Sequence, residues 1–283
     1  MFPSSTRSGA VHPVGLRGAP PPRPLIDTAD PFLLLAAFGA ALLAGAGNAI
    51  AGGGTNLSFP ILIWLGIPPV AANATNGVGL WPGSAGAAWS YRTALAKADN
   101  HWWWFAIPSL VGGGLGAWLL LALPPTWFGA MAPWLVIVAS MLVAVEPVVR
   151  RWLRSPAHEG KSRGWLPMTM SVQFAISVYG GYFGAGMGIL MLTSLGLMGM
   201  HDLHEANAWK NVLAVAIKGV AVLYFVVAGV LVWPVAIVMA IGSTLGGYAT
   251  GSFIQRFDQG KLRWVVVAMG LGMGLVLLMR GNG

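Results

Sequence analysis

The chain has 283 residues, of which 56% are hydrophobic and only 8% charged. Soluble domains carry roughly 25% charged residues, so this composition cannot build a water-facing surface. The net charge of +8 falls mainly in short loops, which reads as positive-inside orientation in a bilayer rather than nucleic-acid binding. With no cysteine, disulfides and thiolate metal sites are excluded.

Residues 1–30 carry six prolines and Arg7, Arg17 and Arg23 without a sustained apolar run, which reads as a disordered tail and not a secretory signal. The first apolar stretch, from Phe32 to about Ile50, is broken by Gly52-Gly53-Gly54. A short segment from Asn56 to Leu65 follows and stops at Gly66-Ile67-Pro68-Pro69. Ten residues make about 15 Å of helix, half of what a bilayer core of about 30 Å requires. Longer helices are expected at about 71–91, 102–123 and 127–149. After a basic loop at 150–163 the pattern recurs: 165–184, a second glycine break, 188–200, then 204–228, 232–255 and 262–280.

That recurrence holds at residue level. Gly52 and Gly186 stand 134 positions apart, and the same offset pairs Ala72-Asn73-Ala74 with Ala206-Asn207-Ala208 and Gly112-Gly113 with Gly246-Gly247. A register kept without gaps, including a shared Asn, indicates an internal duplication. The expected fold is an all-α polytopic integral membrane protein. Two inverted-topology repeats, 31–149 and 164–283, each contribute about five membrane segments with broken or re-entrant helices. An odd number of passes per copy inverts the second copy relative to the first. Placing the 150–163 loop in the cytoplasm puts Arg92, Lys97, Arg256, Lys261 and Arg263 on the same side, and leaves the loops Gly66–Val70, Leu123–Thr126 and Gly229–Val232 uncharged.

Broken helices free backbone N–H and C=O groups, and lipid tolerates these only where they line a cavity. Gly52, Gly53, Gly54 and Thr55 mark one break, and Gly186 and Gly188 the other. The short helix after each presents amides and a positive dipole end, which suits an anion. The plainer reading, that these glycines only permit close packing, does not explain why the following helices are too short to span. Further site candidates are Asn73, Thr75 and Asn76 in the first copy and Asn207, Lys210, Asn211 and Lys218 in the second. Positions 207, 211, 214 and 218 share one helical face, with Lys210 beside it. An ionisable residue at the depth of Lys218 is costly and by default functional, although a lysine can also snorkel to an interface. The sole carboxylate in a membrane segment is Glu146, at a helix end beside the basic loop, so the lysines point to a small anion. Gln173 and Tyr179 either line the cavity or brace neighbouring helices. No G-x-G-x-x-G fingerprint, Ser/His/Asp constellation, H-E-x-x-H motif or metal cluster is present, so no enzyme, cofactor or metal site is expected.

The runs Ala49-Ile50-Ala51-Gly52-Gly53-Gly54-Thr55, Pro68-Pro69-Val70-Ala71-Ala72-Asn73-Ala74-Thr75-Asn76 and Leu80-Trp81-Pro82-Gly83-Ser84 resemble the sulfite exporter TauE/SafE family. In the second copy, Ala206-Asn207-Ala208-Trp209-Lys210-Asn211 and Gly242-Ser243-Thr244-Leu245-Gly246-Gly247-Tyr248 fit too. The resemblance covers about 30–280. It implies a multi-pass permease of the bacterial inner membrane that moves small anions such as sulfite or sulfoacetate, usually outward. Two positions depart from that pattern: Trp209, where a smaller residue is usual, and Lys218, where an uncharged polar one is more common. The expectation is therefore a secondary transporter for a small anion, embedded in the lipid bilayer and coupled to a proton or another ion, in which a homo-oligomer is compatible with the sequence. The alternatives are a passive anion channel and a non-transporting accessory protein.

Overall fold

A computed structural model describes residues 30–51, 53–95, 100–153, 166–197, 200, 202–252 and 259–281. The tail before residue 30, Gly52 and most of the basic loop lie outside them. The described residues are almost entirely helical, with no strand among them. The elements are α1 (Pro31–Ala51), α2 (Gly54–Trp64), α3 (Pro69–Ser90) and a single turn, α4 (Arg92–Leu95). After a 3-10 segment (Asn100–Phe105) come α5 (Ala106–Ala122) and α6 (Pro125–Leu153). The chain continues with α7 (Leu166–Tyr182), α8 (Met187–Leu197), α9 (Leu203–Ala228), α10 (Trp233–Ser252) and α11 (Gln259–Gly281).

Local chemistry explains the boundaries. Proline opens α3 at Pro69, where its missing N–H costs nothing. Asp202 caps α9 by accepting the His204 N–H at 2.7 Å, with Glu205 in the first turn. The same helix stops at Gly229, whose φ of 67° is left-handed and cheap only for glycine. Helices α2 and α8 have 11 residues each, about 16 Å, and cannot span a bilayer.

Among the described residues, four helices are long and apolar enough to cross a membrane: Pro31–Asn48, Trp103–Ala122, Pro125–Trp152 and His204–Ala228. Large apolar side chains such as Leu35, Trp134, Val227 and Tyr248 stand exposed on the outside, the reverse of a soluble protein, so the solvent they face is lipid. Helix α3 has the length, at 22 residues, but its Asn, Thr and Gly content makes it too polar to face lipid. It is held inside, against α1, α9 and α10.

Small residues allow the tightest pairings. Helix α10 lies against α1 through Gly242 and Gly246, where an added Cβ would fall 2.7 Å from the Phe38 carbonyl oxygen and 2.0 Å from that of Leu42. Helix α5 lies against α7 in the same way, through Gly112 and Gly116 against the Phe174 and Val178 carbonyls. These are small-xxx-small contacts, in which backbones meet without intervening side chains. Three apolar clusters fill the rest. One is built around Phe59, Phe128 and Phe183, a second around Trp209, Met191 and Phe105, and a smaller one around Leu57, Val143 and Val266.

Candidate functional site

The two breaks in the helical ladder are braced from the preceding helix. At the first, the Asn48 side chain of α1 accepts the Gly54 N–H at 2.9 Å and so satisfies the first amide of α2. At the second, Gly184 and Gly186 take φ values of 77° and 71°, and the Tyr179 hydroxyl donates to the Ala185 carbonyl at 2.6 Å. Tyr179 thus holds the break open. Gln173 binds the Ser109 hydroxyl of α5 at 2.9 Å, a helix-to-helix brace. Asn73 Nδ2 of α3 donates at 2.8 Å to the carbonyl of Tyr182, at the C-terminal end of α7. A side chain of α3 thereby satisfies a carbonyl at the break after α7.

Beside this contact lies a cavity between α2, α3, α7 and α9. Its polar wall is formed by Thr55, Asn73, Asn76 and Lys218, and its apolar wall includes Leu80, Phe183, Ala221, Val222 and Phe225. Asn76 is oriented by the Ser58 hydroxyl, which donates to its Oδ1 at 2.5 Å. Gly180 and Gly181 complete the lining and keep that side free of side chains. Lys218 lies 15 residues into α9, about 22 Å from its start and near its middle third. Among the described residues its ammonium has neither a hydrogen-bond nor an ion-pair partner. A lysine charge at a helix centre in a bilayer costs about 2.5–3.5 kcal/mol on insertion scales. The cavity therefore holds an uncompensated cation with amide and hydroxyl groups around it, the donor set of an anion site.

Other sequence candidates fall elsewhere. Asn207 and Lys210 sit in the first turns of α9 and bond to each other, Nζ to Oδ1, at 2.9 Å. The Lys210 stem covers Gly188 at the start of α8, where an added Cβ would be 3.5 Å from its Cδ. Asn211 is half-buried next to them and outside the cavity lining. Thr75 is fully buried and caps the turn before α10, accepting the Val232 N–H at 3.0 Å. An added Cβ at Gly53, Gly54 or Gly186 would meet neighbouring atoms: Val143, the Ala44 carbonyl and Ala139 respectively.

Sequence reading undervalued Glu146. It is 2% exposed within α6, accepts the Arg150 Nε at 2.7 Å and lies 3.5 Å from Arg263 of α11. Its position beside a basic loop disguised a buried residue that joins two helices distant in sequence. Among the described residues no group of three or more His, Asp or Glu could hold a metal.

Comparison with known proteins identifies the family and several relatives. The profile of the family described as sulfite exporter TauE/SafE matches residues 37–277. A probable membrane transporter protein of Haemophilus influenzae is 27% identical over 228 residues, 80% of this chain and 87% of that one. The probable membrane transporter protein YfcA of Escherichia coli K12 is 26% identical over 255 residues, 90% and 93% of the two chains. No solved structure matches the chain. A helical membrane protein carrying this match over most of its length belongs to the sulfite exporter TauE/SafE family of membrane transporters.

Proposed function

We propose that the chain is a secondary transporter for a small anion, built as two inverted repeats in the bacterial inner membrane, with its substrate site in the Lys218 cavity. The observation that carries this reading is Lys218 itself: an unpaired ammonium mid-helix, facing Asn73, Asn76 and Thr55 beside both helix breaks. A sulfonate, sulfite or carboxylate head meets the polar wall, and a short hydrocarbon part meets Leu80, Phe183 and Phe225.

Packing supports the inverted repeat. An offset of 134 carries α1 onto α7 and α5 onto α10, so the α1–α10 and α5–α7 contacts are one interface made twice. Helices α3 and α9 pack on each other and are each other's images, as are α6 and α11. Trp81 Nε1 donates to the Val215 carbonyl at 3.1 Å, and these residues are themselves 134 apart. A residue meets its own image only at a symmetry axis.

Counterflow in proteoliposomes tests the function. Labelled sulfite or sulfoacetate should enter vesicles preloaded with the unlabelled anion, saturably and in exchange. Voltage-driven anion currents without saturable exchange would mean a channel, and neither flux nor current for these anions would contradict transport of this substrate class.

A further inference from the structure

Sequence candidates that fall outside the Lys218 cavity have an order of their own. Each residue of the cavity wall has an image in the other copy, 134 positions away. Asn73 maps to Asn207, Asn76 to Lys210 and Gly77 to Asn211. In the opposite direction Lys218 maps to Ser84 and Phe225 to Tyr91. Asn207 and Lys210, the two candidates that form a separate bonded pair, are thus the images of the two asparagines in the cavity.

The Trp81–Val215 contact divides the two groups. Wall residues Asn73 to Leu80 precede Trp81 in α3, and Lys218 to Phe225 follow Val215 in α9. Their images reverse this, with Asn207 to Ala214 before Val215 and Ser84 to Tyr91 after Trp81. The cavity and its image therefore lie on opposite sides of that contact, one toward the uncharged loops at 66–68 and 229–232, the other toward Arg92 after α3 and the basic end of α6.

Resting on the reading of the chain as an inverted-repeat carrier, we propose that Asn207, Lys210 and Asn211 form the image anion site in the opposite-facing state, with Lys210, the image of Asn76, supplying the ammonium there. In this structure that image site is packed over at Asn207 and Trp209, while Lys210 and Asn211 stay half-buried. Trp209 is 1% exposed and meets Trp103 edge-on at 5.3 Å, and the Tyr91 and His204 rings close α3 onto α9 at 5.2 Å. The Lys210 ammonium is held by Asn207, where an anion would replace the amide oxygen. One polar group there is left over: the Trp209 indole N–H is buried without a partner among the described residues. A buried donor of that kind is expensive unless some state of the protein satisfies it. Exchange of the two states gives the anion one ammonium on either side, from two lysines on one helix about 12 Å apart.

The native chain has no cysteine, so single-cysteine variants report sidedness directly. Gly77→Cys has open space around the new side chain, and Asn211→Cys is its image. Both would be treated with a membrane-impermeant methanethiosulfonate in oriented, sealed vesicles. Gly77→Cys is expected to label from one side only and Asn211→Cys only from the other, with sulfoacetate protecting both. Asn211→Cys that labels from neither side, or from the side that labels Gly77→Cys, overturns the inference. If labelling is two-sided but the wild type shows no counterflow and no protection, the anion reading fails and the two-faced geometry stands. If counterflow runs and both positions label from one side, the carrier stands and the paired-site inference fails.

Discussion

At Lys218 a buried cation costs the fold stability. The Lys218 ammonium is unpaired among the described residues and surrounded by helix, amides and aromatic side chains. Replacing it with Met keeps most of the shape and removes a charge that nothing in the cavity offsets. Lys218→Met is therefore expected to melt higher than the wild type in detergent; a lower melting temperature would mean that the lysine has a stabilising partner. Asn73→Ala should act the other way. It strands the Tyr182 carbonyl at the second break, a loss of about 1–3 kcal/mol to be read in the same thermal assay. Lys218, Asn73, Asn76 and Thr55 were legible in the sequence because polar groups in an apolar chain at fixed distance from a glycine break have few structural uses. Glu146 was not, since its partner Arg263 is distant in the chain and only the packing of α6 on α11 brings them together.

Among the elements, glycines sort by what surrounds them. Gly246→Ala would drive a methyl group to within 2.0 Å of the Leu42 backbone and force α10 off α1. A loss of about 1–3 kcal/mol is expected. Gly39→Ala, on α1 with nothing within 4 Å, removes a helix-interior glycine at no steric cost and should gain about 0.5–1 kcal/mol. Thermal denaturation of the two variants decides the sign, and equal shifts would contradict the close approach. Most helix limits could be read from hydropathy and from proline and glycine punctuation to within a few residues, including both short helices. The continuation of α6 to Leu153 could not, because Arg150 and Arg151 mark the end of an apolar run and not of a helix. Neither could the choice of partners: α1 meets α10 through backbone contacts at Gly242 and Gly246, which composition does not order.

For the whole molecule, the helices before the basic loop and those after it are interlocked rather than placed side by side. Helix α1 finds its main partner in α10, and α5 in α7, each pair joining a helix before the basic loop to one after it. Fragments 1–157 and 158–283 are thus expected to reach the membrane in a stable form only when co-expressed. Either fragment accumulating alone at wild-type level would contradict interlocking. The central claim, that the Lys218 cavity holds the anion, is tested most directly by equilibrium binding of labelled sulfoacetate to purified wild type and Lys218→Met. Loss of one charge-assisted contact of about 1.5–3 kcal/mol predicts affinity weakened by roughly 10- to 150-fold in a variant that is at least as stable. Unchanged affinity in that folded variant would place the anion elsewhere.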